Sequence, residues 1–438
     1  MRAPVDLEIF KDYLRPYYLK WLYFKIRPEH RANYLSAWWN KPHFSLPSKS
    51  PAKISATLNE QLPQQDNRPD LLFLPMTDWH SRIQRTQHLA MGFGSLGTRC
   101  YYLNPHLGRE FRGPYSRWND VRAGAVARHV LEIHVHLPRE PVYHHRMLTR
   151  GETDRLFSAV ARLAKAGGGR KTIQLVSFPL WAPLAGRLKR EFGFPVVYDC
   201  HDLLSGFRDI SSDIVAAEPA LLESADLVCF SSEWLLTEAV RHRPAVRHKS
   251  IVVRNGVTLA DYAGIAPKER SGRPTIGYAG SLNFWFDVEA IREAALRHPE
   301  WHFTLIGRVE SESIVPLRAL PNVVLEGEVP YSDLPRRMAD FDVAVIPFLK
   351  TPLTRATNPL KLYEYLCLGI PVVSTRLPEI EPFEDLVYLS DSPDDFVRQL
   401  EVAVAEDDSS RRARRKLAAE SNSWLARCEQ LNQRLELL

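Results

Sequence analysis

A chain of 438 residues is long enough for two ordinary domains with full cores. Its 45% hydrophobic and 25% charged content is that of a globular protein, and a net charge of only +5 is too weak by itself to argue for nucleic acid, so no nucleic-acid partner is expected. Five scattered cysteines (Cys100, Cys200, Cys229, Cys367, Cys428) form no C-x-x-C pair, which argues against a disulfide framework or a zinc site and for reduced thiols in a cytosol-like compartment. The N-terminus lacks a signal-peptide layout, and no apolar run approaches the roughly 18 residues of a membrane span. The expectation is a cytoplasmic protein that does not cross a membrane.

Residues 1–69 are expected to stand apart. Leu7, Phe10, Leu14, Tyr17 and Trp21 alternate at spacings of three and four, a helical pattern that Pro16 restarts rather than interrupts. The first fifty residues hold nine Lys/Arg against four Asp/Glu, and eleven of the 45 aromatics. Such a mixture suits a helix resting on an anionic membrane surface, and equally suits packing against the next domain or in an oligomer interface. Residues 45–69 contain four prolines with Ser and Gln, the composition of a linker.

From residue 70, short apolar strands alternate with helical patterns, which implies βαβ units and parallel sheets. The first series is Leu71–Met76, Cys100–Asn104, Leu131–Leu137, Thr172–Phe178, Val196–Cys200, Leu227–Ser231 and Ile251–Arg254. A polar stretch from Asp261 to Pro274 marks a boundary. The second series is Thr275–Ala279, His302–Ile306, Val323–Glu326, Val343–Pro347, Val372–Thr375 and Val387–Leu389, followed by helices over 394–406 and 409–436. The domains expected are 70–260 and 273–415, with residues 416–438 as a last helix. Ligands of open α/β sheets bind beyond the C-terminal strand ends, so the loops directly after each strand are the places to search.

The segment from Asn358 to Thr375 is the most informative in the chain. Asn358 reads as an N-cap, Pro359 as the first helical residue, and Gly369 with Pro371 as the stop. Lys361 lies in the first turn, where the helix dipole disfavours a cation. Its placement makes sense if an anion docks at that helix start, beside Asn358, Pro359 and Leu360. Glu364, one turn later on the same face, is suited to accept hydrogen bonds from a sugar hydroxyl. An ordinary surface lysine and a solvated glutamate are the plain alternative. Three other loops follow strands. Arg82 and Arg85, in the loop that begins at Asp78, can converge on a helix start, or simply form its polar opening. His201 ends a strand, with Asp202 available to orient its ring, although a packed strand-end histidine would read the same. Gly280-Ser281-Leu282 can bring backbone N–H groups close to a phosphate. Arg308 also follows a strand and is the second choice of cation, after Lys361.

These residues resemble the nucleotide-sugar site of glycosyltransferases with the GT-B architecture, in particular the retaining family four. The resemblance covers residues 70–436. It implies two Rossmann-like α/β domains facing a central cleft, with the donor on the C-terminal domain and the acceptor mostly on the N-terminal one. It also implies that the last helix returns to the N-terminal domain. In the family a glutamate at the place of Glu364 holds the donor ribose, and a histidine or acid at the place of His201 lies near the reacting sugar. A branch with a similar Trp-x-x-Arg-x-Gln-Arg loop, here Trp79 to Arg85, turns that loop toward the cleft. The implied reaction moves a sugar from a nucleoside diphosphate sugar to an acceptor hydroxyl with retention and without a metal cofactor. The acceptor is a carbohydrate or a lipid-linked one.

This sequence departs from the family in two places. The second glutamate, eight positions before Glu364, is Ala356. Where the family commonly has an Arg or Lys beyond the glycine loop, Phe284, Trp285 and Phe286 stand, leaving Lys361, Arg308 or Arg355 to supply the charge. A sugar-nucleotide epimerase and a non-catalytic scaffold therefore remain the alternatives. Gly167-Gly168-Gly169-Arg170-Lys171-Thr172 lacks the spacing of a phosphate loop and precedes a strand. His134-x-His136 and His144-His145 lack further ligands at metal spacing. Arg411 to Lys416 is expected to form one charged helix face.

Overall fold

The computed structural model describes residues 68–79, 82–105, 121–135, 137, 144–267, 272–406 and 408–438. The helix expected over 1–44, nearly all of the linker, and His80, Ser81 and His136 lie outside the described residues.

The first domain is built on strands β1 (Asp70–Leu74), β2 (Cys100–Leu103), β3 (Val121–Ala127), β4 (Val130–Val135), β5 (Thr172–Val176), β6 (Val196–Cys200), β7 (Leu227–Phe230) and β8 (Ser250–Val252). Its helices are α1 (Arg85–Ser95), α2 (Arg150–Ala166), α3 (Ala182–Phe192), α4 (Ser212–Ser224) and α5 (Glu233–His242). The strand order is β3-β4-β2-β1-β5-β6-β7-β8, parallel except for β3 against β4. Every residue of β1, β5 and β6 is buried, as in strands covered on both faces. Strand β3 was not expected from the sequence. Its VRAGAVA run is poor in strand formers, and it is held as an antiparallel edge by pairing with β4 through a turn in which His129 takes φ 56°.

The second domain carries β9 (Thr275–Ala279), β10 (His302–Ile306), β11 (Val323–Gly327), β12 (Val343–Ile346), β13 (Val372–Thr375) and β14 (Tyr388–Ser390). Its helices are α6 (Val288–Arg297), α7 (Leu334–Met338), α8 (Pro352–Ala356), α9 (Leu360–Leu368), α10 (Pro393–Val404) and α11 (Ser409–Ser421). The order β11-β10-β9-β12-β13-β14 is that of a doubly wound dinucleotide-type sheet, and its direction reverses between β9 and β12. In the first sheet the reversal falls between β1 and β5. Ligand crevices form at such reversals, so the loop after β1 and the loop after β9 become the two places of interest.

A single helix over 409–436 was expected; the chain instead breaks at Asn422. Ser423 caps the new helix α12 (Trp424–Leu435) by accepting from the Ala426 N–H. The Val257 N–H donates to the Asn422 carbonyl and the Trp424 N–H to the Val257 carbonyl, which fixes the break. Gly256 is required there, because a Cβ would lie 2.6 Å from the Asn422 oxygen. Helix α12 packs on α1 of the first domain. Trp424 stacks on His88 with ring centroids 5.0 Å apart, and the Cys428 thiol donates to the Leu89 carbonyl. Trp424, Cys428, Leu431 and Leu435 complete a core shared with β1, β2 and α1. The chain thus crosses between domains twice. Arg415 corrects the reading of 411–416 as one charged face: it is fully buried, with Nη1 and Nη2 donating to the Glu406 carboxylate at 2.6 and 2.7 Å.

Candidate active site

Strand β9 ends at Ala279, and Gly280 begins the loop. Gly280 has φ 155°, and a Cβ on it would lie 1.9 Å from Lys361 Cε, so this position needs glycine for Lys361 to pass. The Lys361 ammonium lies 5.5 Å from the Tyr278 ring centroid, a cation–π distance. Burial pushes its pKa below the ordinary lysine value, Glu364 opposes that shift, and the nearby Arg82 charge adds to it. The Glu364 carboxyl is pushed up by burial, against the pull of Lys361. Both residues are partly buried, Lys361 against the glycine loop and Glu364 within reach of the Tyr262 hydroxyl. The helix stops as expected, with Gly369 left-handed at φ 74°.

The helix begins later than expected. Its N-cap is Pro359 and its first residue Leu360. Asn358 is no cap: it is buried, and its bonds join the domains. The Asn255 N–H donates to Asn358 Oδ1 at 2.8 Å, and Asn255 Nδ2 to the Asn358 carbonyl at 2.6 Å. Asn358 Nδ2 donates to Glu379 Oε2 and to the Tyr363 hydroxyl, each at 3.0 Å. Glu379, 2% exposed, also accepts from Arg254 Nε at 2.8 Å and from the Glu233 N–H at 2.9 Å. Pro359 is buried, and Leu360 packs against the first domain's core. The helix start therefore seals the joint, while Lys361 and Glu364 face the crevice. Ala356 is explained by the same joint. It is fully buried among first-domain core residues, and its carbonyl accepts from Ser232 Oγ at 2.7 Å, so a glutamate there would bury a carboxylate in apolar surroundings.

The glycine loop is only partly the open nest expected from its sequence. The Gly280 N–H donates to the Ile306 carbonyl and the Leu282 N–H to the Arg308 carbonyl, prolonging the sheet. Leu282 is fully buried and belongs to the core. Ser281 Oγ donates to Glu310 Oε2 at 2.5 Å. Arg308 is exposed at the rim, with Nε 3.9 Å from Glu310 Oε1. Arg355 is exposed in the last turn of α8.

Opposite, the loop after β1 divides its arginines. Arg82 crosses the crevice, with Nε donating to Glu328 Oε1 at 2.8 Å and Nη2 to Glu310 Oε1 at 3.3 Å. Arg85 does not face the crevice. It is buried, with Nε donating to both Asp199 oxygens at 3.0 and 3.1 Å and Nη1 to Asn255 Oδ1 at 3.0 Å. Burial opposes its charge, yet the Asp199 carboxylate holds its pKa above the ordinary arginine value. Asp78 is also buried, and its carbonyl accepts from Gln87 Nε2, so it too belongs to the scaffold. His201 lies 3.0 Å through Nδ1 from the Asp199 carbonyl. A carbonyl only accepts, so Nδ1 donates in this contact. Asp202 does not orient the ring by a hydrogen bond; Oδ2 is 3.7 Å from Nε2. Burial raises the Asp202 carboxyl, while His201 and then Arg85 pull it down.

The structure thus brings together Lys361, Glu364, Gly280, Ser281, Arg308 and Arg82, and turns Arg85, Asp78, Asn358 and Leu282 to structural work. Sequence reading missed Glu310, Glu328, Arg254, Asn255 and Glu379. Each makes its decisive contact across the crevice or the domain joint, so no local pattern marks it. Among the described residues no group of three His, Cys, Asp or Glu gathers as a metal site would need. None of their helices is long and apolar enough to cross a membrane.

Two Rossmann-like domains meeting across a crevice, with the last helix returning to the first domain, are the GT-B architecture of glycosyltransferases. Residues 273–406, nearly all of the second domain's sheet and its helices, match the family described as glycosyl transferases group 1. The chain is 31% identical over 252 residues to the putative teichuronic acid biosynthesis glycosyltransferase TuaH of Bacillus subtilis (strain 168). That match spans 52% of this chain and 64% of the relative. Among solved structures, Anabaena HepE in complex with UDP and glucose superposes with a TM-score of 0.60 at 14% identity, over 85% of this chain and 100% of that one. The lipopolysaccharide outer core galactosyltransferase WaaB in its apo form gives 0.56 at 14% identity, over 84% and 98%. At such identities the likeness is one of fold.

Proposed function

We propose that this chain is a glycosyltransferase that moves a sugar from a nucleoside diphosphate sugar to an acceptor hydroxyl, with retention, in polysaccharide or glycoconjugate synthesis. The observation that carries the reading is Lys361 passing over the Cβ-less Gly280 at the reversal of the second sheet, with Glu364 one turn beyond. Lys361 would stabilise charge growing on the departing diphosphate, and Glu364 would accept from the donor ribose. His201, held through Nδ1 by the Asp199 carbonyl, would position the sugar from the opposite wall. The charge comes from side chains, so the reaction is read as needing no metal, and chelation should leave turnover unchanged. Two names support the direction: the relative is called a teichuronic acid biosynthesis enzyme, and a structural neighbour holds UDP and glucose.

A thermal-shift screen of the full chain against UDP, GDP and their sugars tests the reading. A ligand at 100 times its dissociation constant adds about 2.7 kcal/mol to stability. Glu364→Gln should weaken nucleotide binding by about 1–3 kcal/mol, because a bond to a charged acceptor is lost. Equal affinity of both proteins for UDP, GDP and their sugars would remove Glu364 from the site.

The aromatic, basic residues 1–44 are read as a peripheral contact with the inner face of the plasma membrane, where a lipid-linked acceptor would be met. A chain starting at Asp70 should still bind nucleotide yet lose salt-sensitive sedimentation with anionic liposomes. Aggregation of that shorter chain, or indifference of the full chain to liposomes at low salt, overturns the membrane contact.

A further inference from the structure

The Glu310 carboxylate is surrounded by a set of donors that suits a phosphate. Ser281 Oγ and Asn283 Nδ2 donate to Oε2 at 2.5 and 3.0 Å, and Arg82 Nη2 to Oε1 at 3.3 Å. Arg308 Nε adds a charge at 3.9 Å. Two guanidinium groups, a hydroxyl and an amide therefore converge on one anion at the mouth of the glycine loop. Carboxylates and phosphates accept from the same charged donors. Arg82 is the member supplied by the first domain, and it reaches over the C-terminal ends of β10 and β11 to Glu310 and Glu328. The second domain carries Phe284, Trp285 and Phe286 directly beyond its glycine loop, so its own cations at this mouth come from elsewhere, Arg308 and Lys361.

Resting on the donor-site reading above, we propose that Arg82 grips the distal phosphate of the donor's diphosphate from across the crevice, and that Glu310 holds that place until the nucleotide arrives. Arg82, Glu310 and Glu328 are 35%, 26% and 28% exposed. Ion pairs so open to water are weak, and a diphosphate, with more charge and more acceptor oxygens, displaces them readily. Glu310 and Glu328 must release Arg82 for binding, so they oppose the ligand. The donor site is then complete only when both domains contribute, which makes Arg82 a catalytic residue, positioned where the leaving group's charge grows.

The test is isothermal titration of the full chain with UDP and with UMP. Arg82→Ala should lower UDP affinity about 10- to 100-fold, because a charged bond is lost, and leave UMP, which lacks the distal phosphate, nearly unchanged. The double variant Glu310→Gln with Glu328→Gln keeps Arg82 but removes both ion pairs. It should bind UDP several-fold more tightly than the wild type. An Arg82 that merely clamps the domains predicts the opposite sign, with the double variant as impaired as Arg82→Ala. Unchanged UDP affinity in Arg82→Ala, an equal loss for UMP and UDP, or weaker binding by the double variant each overturns the proposal while leaving the donor site standing. A wild-type chain that binds neither UDP nor GDP overturns the donor-site reading itself, and this inference with it.

Discussion

Replacing Asn358 with alanine should loosen the joint between the domains. The substitution removes the acceptor of the Asn255 N–H, one donor to the buried Glu379 carboxylate, and the bond to Tyr363. A hydrogen bond to a charged group contributes about 1.5–3 kcal/mol and a neutral one about 0.5–1.5. Losing one of the first and two of the second gives about 2.5–6 kcal/mol, with non-additivity expected among neighbours. Tyr363→Phe touches the same cluster at one bond and should cost about 1 kcal/mol. Urea unfolding followed by tryptophan fluorescence measures both. Trp424 is a suitable reporter, because it sits in the core that the returning helix completes. A cycle with Asn255→Ala should show a coupling of about 1–3 kcal/mol. A cost below about 1 kcal/mol for Asn358→Ala, or no coupling, would mean that water replaces these bonds and that the polar cluster does not fasten the domains.

Three further outcomes are expected. Lys361→Ala should lower turnover more than donor affinity, since the charge it meets grows as the bond to the diphosphate breaks; kcat and KM for the donor check this, and wild-type turnover alongside a crippled Arg308→Ala would reverse the ranking of the two cations. Gly280→Ala should lower turnover as Lys361→Ala does, with the circular dichroism unchanged, because the new Cβ falls 1.9 Å from Lys361 Cε and displaces the ammonium; wild-type turnover would show that Lys361 can leave this place freely. The Glu406 carboxyl is lowered below 4.5 although burial pushes the other way, because Arg415 bonds it. Its stabilisation is therefore complete above that pH and drains away as pH falls through the depressed value; Glu406→Gln should lower Tm at neutral pH and flatten the acid limb, and parallel acid limbs would refute the linkage.

Most of the strands were legible because they are largely buried apolar runs between turn residues, a local property that needs no partner. Gly369 and Pro371 fixed the end of α9 for the same reason, since a left-handed residue and a missing N–H act within one turn. Lys361 was legible as an oddity, a cation where a helix start favours an anion. What each polar side chain meets depends on residues far along the chain. Arg82 and Arg85 are chemically identical and three positions apart, yet one crosses the crevice to Glu310 and Glu328 while the other is buried on Asp199. Asn358 has the composition of a cap, and the approach of Asn255, 103 positions earlier, turned it into a joint. Strand β3 and the break at Asn422 likewise depend on a pairing strand and on Val257. Patterns of burial and turning act over a few residues and are written in the sequence; the pairing of charges and amides is set by which segments the two sheets bring face to face.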